Sequence, residues 1–285
     1  MRGLGSDMGN VVAERDATAL DLLLEKVYRD RGYNFWEYKR GTVTRRLQRR
    51  LCATGVRTYL DYMEFLDVHP EEYQRLIDYL TISVSRFFRS PHTFQQVAEL
   101  VLPELVSRKR DGGQQRLSFW STACARGEEP YSIAMLLADF LGNQQQDFDI
   151  SVYATDISRQ ALTEAKIGKY SLKDVEVLSP TILENYFTGY GEGYAIGPDI
   201  RRMVNFSYFD LVSTTQLPFM NLDCIFCCNI LIYLQTQLQE RLLNMLYDSL
   251  ATPGYLILGE VETPPSNLRE KLECLDTKAR IYKKI

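Results

Sequence analysis

The sequence predicts an α/β fold: a mostly parallel sheet with helices on both faces, a small N-terminal helical domain before it and a β-subdomain inserted within it. Three observations predict this. Apolar runs ending near Cys124, Thr155 and Cys228 read as buried strands separated by helical stretches, the alternation that builds a parallel sheet. From Leu20 to about Leu80 the apolar spacing is helical. Between Tyr170 and Tyr208 the alternation gives way to short, glycine-punctuated segments.

Taken in order, residues 1–16 mix Gly, Asp and small residues without periodicity and are expected to form a flexible tail. Residues 17–90 make the helical domain and its linker. Leu20, Leu23, Leu24, Val27 and Tyr28 form one apolar stripe and Tyr59, Tyr62, Met63 and Leu66 another, with Gly32, Gly55 and His69-Pro70 as breaks. Between them Val43, Leu47 and Leu51 repeat every four residues toward a core. That repeat puts Arg45, Arg46, Arg49 and Arg50 on the displayed side, near Lys39, Arg40 and Arg57. The α/β domain takes residues 91–285. Phe87 to Asp111 leads into it through a further helix, and Asp111-Gly112-Gly113 supplies the turn before the first strand. The insert, about residues 170–208, contains Thr188 to Ile196, read as short strands around glycine turns. Gln235 to Leu250 is an amphipathic helix stopped by Pro253-Gly254, Tyr255 to Leu258 is the next strand, and the tail to Ile285 is expected to close the sheet as an antiparallel hairpin.

The chemistry is concentrated where strands end. After the first strand, Gly127-Glu128-Glu129-Pro130-Tyr131-Ser132 reads as a tight loop entering a helix, with Pro130 in the tolerant first turn. Two carboxylates there offset the attraction of a helix N-terminus for phosphate, so a guest with positive charge or hydroxyls is favoured, such as S-adenosylmethionine. The second strand ends in Asp156, a position from which an acidic side chain in an open α/β sheet accepts ribose hydroxyls, and the third runs into Asn229. Glu129, Asp156 and Asn229 are therefore expected at one crevice.

These stretches resemble the chemotaxis receptor methyltransferases, the CheR family. The resemblance rests on Ser85-Arg86-Phe87-Phe88-Arg89, Gly127 to Met135, Ala154-Thr155-Asp156-Ile157 and Ile225 to Tyr233, with weaker matches at Val204-Asn205-Phe206, Asp210-Leu211 and Gly259-Glu260-Val261-Glu262. It implies a Rossmann-like S-adenosylmethionine-dependent methyltransferase sheet and an enzyme that esterifies glutamates on the cytoplasmic helical bundle of chemoreceptors, with S-adenosylhomocysteine as product. By motif position it implies cofactor contacts from Ser83, Ser85, Arg89, Glu129, Asp156, Asp210, Leu211, Cys228 and Asn229. Arg89 and Tyr233 fall near the transferred methyl and the acceptor carboxylate. The chain departs from the family's usual residues at Ser83 and Ser85 (Asn and Thr), Arg126 (Thr), Asp210 (Asn) and Cys228 (Arg).

Composition narrows the rest. With 285 residues, 45% hydrophobic and 25% charged, the chain can bury a substantial core. It contains no apolar run of about 20 residues, so no membrane insertion is expected. Six cysteines in mostly apolar segments fit a reducing cytoplasm, and Cys224 and Cys227 have no partner pair at ligand spacing, so no metal site is expected. Two histidines, His69 and His92, argue against histidine-based hydrolysis. A net charge of -4 disfavours nucleic acid as the partner of the arginine-rich helix, and an acidic protein surface such as a receptor bundle fits better. Two alternatives remain: a cofactor-binding regulatory module with weak or no turnover, and a methyltransferase acting on small carboxylic acids.

Overall fold

The computed structural model describes residues 4–81 and 84–285, with side chains from residue 17 onward. Its contacts divide the chain into two units, one formed by the N-terminal helices with Tyr233–Gln235, the other by the remainder.

The first unit contains α1 (Leu4–Arg31), α2 (Arg40–Thr54), α3 (Tyr59–Val68) and α4 (Glu72–Leu80). Helix α1 begins within the segment expected to be a tail. A helix already nucleated around Leu20 extends backward at one hydrogen bond per residue when no Pro stops it. Its buried stripe is Leu20, Leu23, Leu24 and Val27, while Tyr28 is exposed and pairs with the Trp36 ring. Val43, Leu47 and Leu51 of α2, Tyr62 and Leu66 of α3, and Tyr73, Leu76, Ile77 and Leu80 of α4 complete the core. Gly55 ends α2 in the left-handed conformation, and the Thr58 hydroxyl caps α3 by accepting the Asp61 amide. The segment Tyr233–Gln235 lies against residues 37–39. The Lys39 amide donates to the Tyr233 carbonyl at 2.7 Å and the Gln235 amide to the Glu37 carbonyl at 2.8 Å.

This unit also holds a buried charge, because Glu72 is only 2% exposed. Its carboxylate accepts the Tyr62 hydroxyl at 2.8 Å and a two-pronged contact from Arg50, whose Nη2 lies 2.6 Å from Oε2. Arg46 is partly buried over the Tyr79 ring and donates to the Tyr79 carbonyl. The displayed basic face is therefore narrower than the four-residue spacing suggested: Arg45 and Arg49 are exposed, whereas Arg46 and Arg50 bind α4.

The second unit opens with α5 (Pro91–Gln96), which passes through a π-helical turn into α6 (Leu102–Asp111). There follow β1 (Arg116–Ser121), α7 (Glu128–Leu141), β2 (Asp149–Asp156) and α8 (Arg159–Ile167). The insert consists of β3 (Lys169–Ser171), α9 (Leu172–Val175), α10 (Pro180–Tyr186), β4 (Phe187–Tyr190), β5 (Gly193–Ile196) and α11 (Pro198–Met203). The chain returns with β6 (Val204–Tyr208), β7 (Leu222–Cys227), α12 (Thr236–Ser249), β8 (Leu250–Leu258), β9 (Leu272–Asp276) and β10 (Ile281–Lys284).

The main sheet has the order β6-β2-β1-β7-β8-β10-β9, parallel from β6 to β8, with β10 and β9 added as an antiparallel hairpin. The small sheet, β3-β5-β4, is antiparallel. Val204–Tyr208, counted above with the insert, pairs with β2 as an edge of the main sheet. Its short run of alternating residues fits an edge with one covered face. All six residues of β7 and all but the first of β1 are buried, as a parallel strand covered on both faces requires. Cys224 and Cys227 belong to that core.

Removing Arg50 would leave the Glu72 carboxylate buried and underpaired. Arg50→Ala is expected to destabilise the protein by about 3 kcal/mol, and Arg49→Ala by less than about 0.5 kcal/mol. Urea unfolding measures both, and equal effects would contradict the internal role of Arg50.

Candidate functional site

Parallel strands β1, β2 and β7 end side by side, and the loops leaving them must find partners for amides that no strand satisfies. After β1 the Thr122 amide still bonds the Phe226 carbonyl of β7 at 3.0 Å, and the Cys124 amide bonds the Thr155 carbonyl of β2 at 2.9 Å. The Thr155 hydroxyl accepts the Trp120 indole N–H and donates to the Thr122 carbonyl, each at 3.0 Å. Asp156, 7% exposed, accepts the Ala125 amide at 2.8 Å on Oδ2 and the Ser158 amide at 2.8 Å on Oδ1. Both of its oxygens therefore organise backbone, and each keeps a further lone pair.

Gly127 has φ +92° and immediately precedes α7. A Cβ there would come within 3.0 Å of the Ala165 Cβ and 3.1 Å of the Phe206 ring, so glycine is required by packing within the protein as well as by backbone geometry. The two carboxylates that follow part company. Glu128 is 3% exposed, its Oε2 has no hydrogen-bond partner among the described residues, and burial pushes its pKa up to about 6. Glu129 accepts the Ser121 hydroxyl at 2.6 Å and lines a pocket with Arg89, Cys228, Asn229 and Gly259. Burial raises its pKa to about 7, against the opposing pull of Arg89.

Arg89 is carried by a strained, packed turn. Phe88 and Ser90 on either side have φ +45° and +61°. Phe87 is buried edge-on against the Tyr170 and Phe187 rings, and the Phe88 amide donates to the Ser132 hydroxyl at 2.9 Å. The guanidinium makes one 3.3 Å contact with the Val84 carbonyl and keeps other donors for the pocket. Ser85 is half-buried in the same segment, and Ser83 lies outside the described residues.

At the β7 end, Cys228 is half-buried, with its thiol pKa pushed well up by burial. Asn229 turns with φ +60°. Its amide donates to Glu262 Oε2 at 2.9 Å, a partner whose only signal in the sequence is the weak family match at Gly259 to Glu262. Asp210 and Leu211 follow the Phe209 amide, which bonds the Asp156 carbonyl at 3.1 Å. Asp210 Oδ1 accepts the Val212 amide at 2.9 Å, and Leu211 is buried. The structure thus gathers Arg89, Glu129, Cys228 and Asn229 at one pocket, while Asp156 ends β2 and Asp210 lies just after the edge strand β6. Tyr233 groups with the helical unit.

Arg126 leaves this pocket. Its side chain pairs with Glu164 at 3.1 Å and Asp174 at 3.4 Å, and its carbonyl accepts the Tyr170 hydroxyl at 2.7 Å. A much larger cleft of about 860 Å³ lies at the opposite, amino ends of β1 and β7, lined by Arg108, Arg116, Phe219 and Asp223. Ligands in open α/β sheets sit at the carboxyl ends, so size does not make that cleft the site.

Comparison with known proteins agrees with this geometry. Residues 83–281 match the CheR methyltransferase SAM-binding domain, and residues 18–81 match the CheR methyltransferase all-alpha domain. A chemotaxis protein methyltransferase of Klebsiella aerogenes is 35% identical over 242 residues, covering 83% of this chain and 80% of that protein. That of Salmonella typhimurium is 34% identical over 254 residues, covering 87% and 84%. An uncharacterized 104.1 kDa protein of Rhodobacter capsulatus is 35% identical over 246 residues, which make up 86% of this chain but only 25% of that protein. With a parallel sheet whose strand ends converge on Glu129 and Asn229, and with both family domains matched in order, the chain belongs to the CheR methyltransferase family, enzymes that use S-adenosylmethionine.

Proposed function

We propose that this methyltransferase esterifies glutamate side chains on the cytoplasmic helical bundle of chemoreceptors, and that it works in the cytoplasm. The observation that carries the reading is the pocket in which a guanidinium, Arg89, stands with a half-buried carboxylate, Glu129, beside Asn229 at adjacent strand ends. Among the described residues no helix is long and apolar enough to cross a membrane.

The donor set fits the cofactor. Glu129 is a carboxylate whose charge lacks a full counterpart, suited to an ammonium group, and Asp156 retains lone pairs for ribose hydroxyls. The pocket encloses only about 10 Å³, against several hundred for typical ligand sites, so a cofactor bound there must extend beyond it along the strand ends or widen it. When bound, S-adenosylmethionine supplies a methyl group on a positively charged sulfur. Arg89 holds one oxygen of the acceptor carboxylate in its fork and leaves the other free to attack. A glutamate with pKa near about 4.3 is already ionised at neutral pH, so no general base is needed and alignment dominates. In this proposal Ser83, Ser85, Asp210, Leu211 and Cys228 complete the cofactor contacts, and a catalytic role for Tyr233 rests on its motif position alone.

Docking on the receptor falls to the exposed part of α2. Arg45 and Arg49 have no ion-pair partner among the described residues, whereas Arg46 and Arg50 are engaged within their own unit. An acidic helical bundle offers the complementary charge.

Three outcomes are expected. Arg89→Ala should keep its fold and lose about a hundredfold or more in methyl transfer, measured as alkali-released methanol from receptor membranes. An unchanged rate would remove Arg89 from catalysis, and transfer to small carboxylic acids but not to receptor would favour that alternative substrate. Because a bound cation favours the ionised form of Glu129, affinity for S-adenosylhomocysteine should be level above about pH 7 and fall up to about tenfold per unit below it. Calorimetry on Glu129→Gln should show that slope abolished. Finally, Arg45→Glu with Arg49→Glu should slow receptor methylation at low salt and flatten its salt dependence, since exposed pairs are screened over about 8 Å at physiological ionic strength. Cofactor affinity should not change, and rates equal to wild type at low salt would leave the two arginines as a solvated face.

A further inference from the structure

Glu262 is a carboxylate that no step above uses. It lies four residues beyond the end of β8, is 4% exposed, and is aimed back at the end of the neighbouring strand β7. Its oxygens accept three backbone amides: Asn229 at 2.9 Å and Gly259 at 2.8 Å on Oε2, and Ile232 at 3.2 Å on Oε1. Its own amide donates to the Gly259 carbonyl at 2.8 Å, closing a four-residue turn. Burial raises its pKa, opposed by those amides, so the charge is taken out of water to clasp backbone. Asn229 is held meanwhile with φ +60°, a conformation open to Asn but not one it adopts without support.

Gly259 supplies an independent view of the same contact. A Cβ at this position would lie 2.6 Å from Glu262 Oε2, 2.8 Å from Asn229 Nδ2 and 2.9 Å from the Asn229 amide. The Asn229 side chain therefore rests directly over the Gly259 backbone, and both residues line the pocket with Arg89 and Glu129. The spacing Gly259-x-x-Glu262 provides the floor with the glycine and the clasp with the glutamate.

We propose that Glu262 is a positioning residue: by binding the amides of Asn229 and Ile232 it sets the Asn229 side chain in the cofactor pocket and fixes the turn that leads to Tyr233. This rests on the assignment of that pocket to S-adenosylmethionine. A glutamine at 262 keeps the shape but turns an NH2 group toward amide donors, which opens the clasp.

The test has a ligand-free arm and a binding arm, both on the full chain. In the ligand-free protein, Glu262→Gln should speed amide exchange at Asn229 and Ile232 at least tenfold while leaving the β1 amides unchanged. By calorimetry the same variant should bind S-adenosylhomocysteine at least tenfold more weakly than wild type. Adding Glu262→Gln to Asn229→Ala should cost no more than Asn229→Ala alone, because one residue acts through the other. If Glu262→Gln does not fold, Gly259→Ala presses on the same contact and should reproduce both losses. Exchange at Asn229 and Ile232 unchanged, affinity within twofold of wild type, or losses that multiply in the double variant would each overturn the proposal. Failure of the wild-type protein to bind S-adenosylhomocysteine would overturn the pocket assignment instead, with the exchange arm still judging the clasp.

Discussion

Backbone amides stranded at the carboxyl ends of parallel strands are the constraint on which the site depends. A strand buried on both faces satisfies its own amides through its neighbours, but the loop leaving it does not, and a buried unpaired amide costs about 1–3 kcal/mol. This chain answers with acidic side chains. Asp156 takes up amides from the loops after β1 and β2, Glu262 takes up those after β7 and β8, and Asp210 takes up those after β6. The loops are ordered because carboxylates hold them, and one of these, Glu262, is near enough to the pocket residue Glu129 to oppose its ionisation.

That solution has an electrostatic consequence. Glu129, Asp156 and Glu262 all have their pKa raised by burial, so the ligand-free protein carries charge that its surroundings do not fully stabilise. A cationic guest relieves this, and a phosphate would worsen it. On the proposed site, selection of a sulfonium- and ammonium-bearing cofactor follows from the loop architecture as much as from any single contact.

Much of this was legible before the structure. Apolar runs ending in Asp156 and Asn229 marked strand ends, and strand ends mark the crevice, so β1, β2, β7 and the closing hairpin were readable from period and punctuation. What was not legible depended on partners distant in sequence. Arg50 looks displayed on a helical wheel, yet its partner Glu72 arrives from α4, 22 residues away, and periodicity cannot register that. Glu262 sits in a polar stretch with no period at all. Its role shows only once β8 is placed beside β7. Glu128 and Glu129 look equivalent as neighbours, and only the rotation of about 100° per helical residue separates a pocket residue from a packed one.

The departures from the usual family residues divide in the same way. Arg126 adds a cation next to the cofactor loop, but its side chain is spent on Glu164 and Asp174, which binds the loop to α8 and to the start of α9. It alters how the small sheet is tied to the loop and adds no donor to the pocket. Cys228 does line the pocket, and there a neutral thiol stands where a cation is usual. Its effect is to leave Arg89 as the principal positive neighbour of Glu129 while Glu262 opposes ionisation. Less of the pocket's negative charge is neutralised from within, and more of the neutralisation falls to a cofactor bound there as proposed. Of these two departures, the one in the pocket therefore makes the protein's cationic ligand more important to its own site.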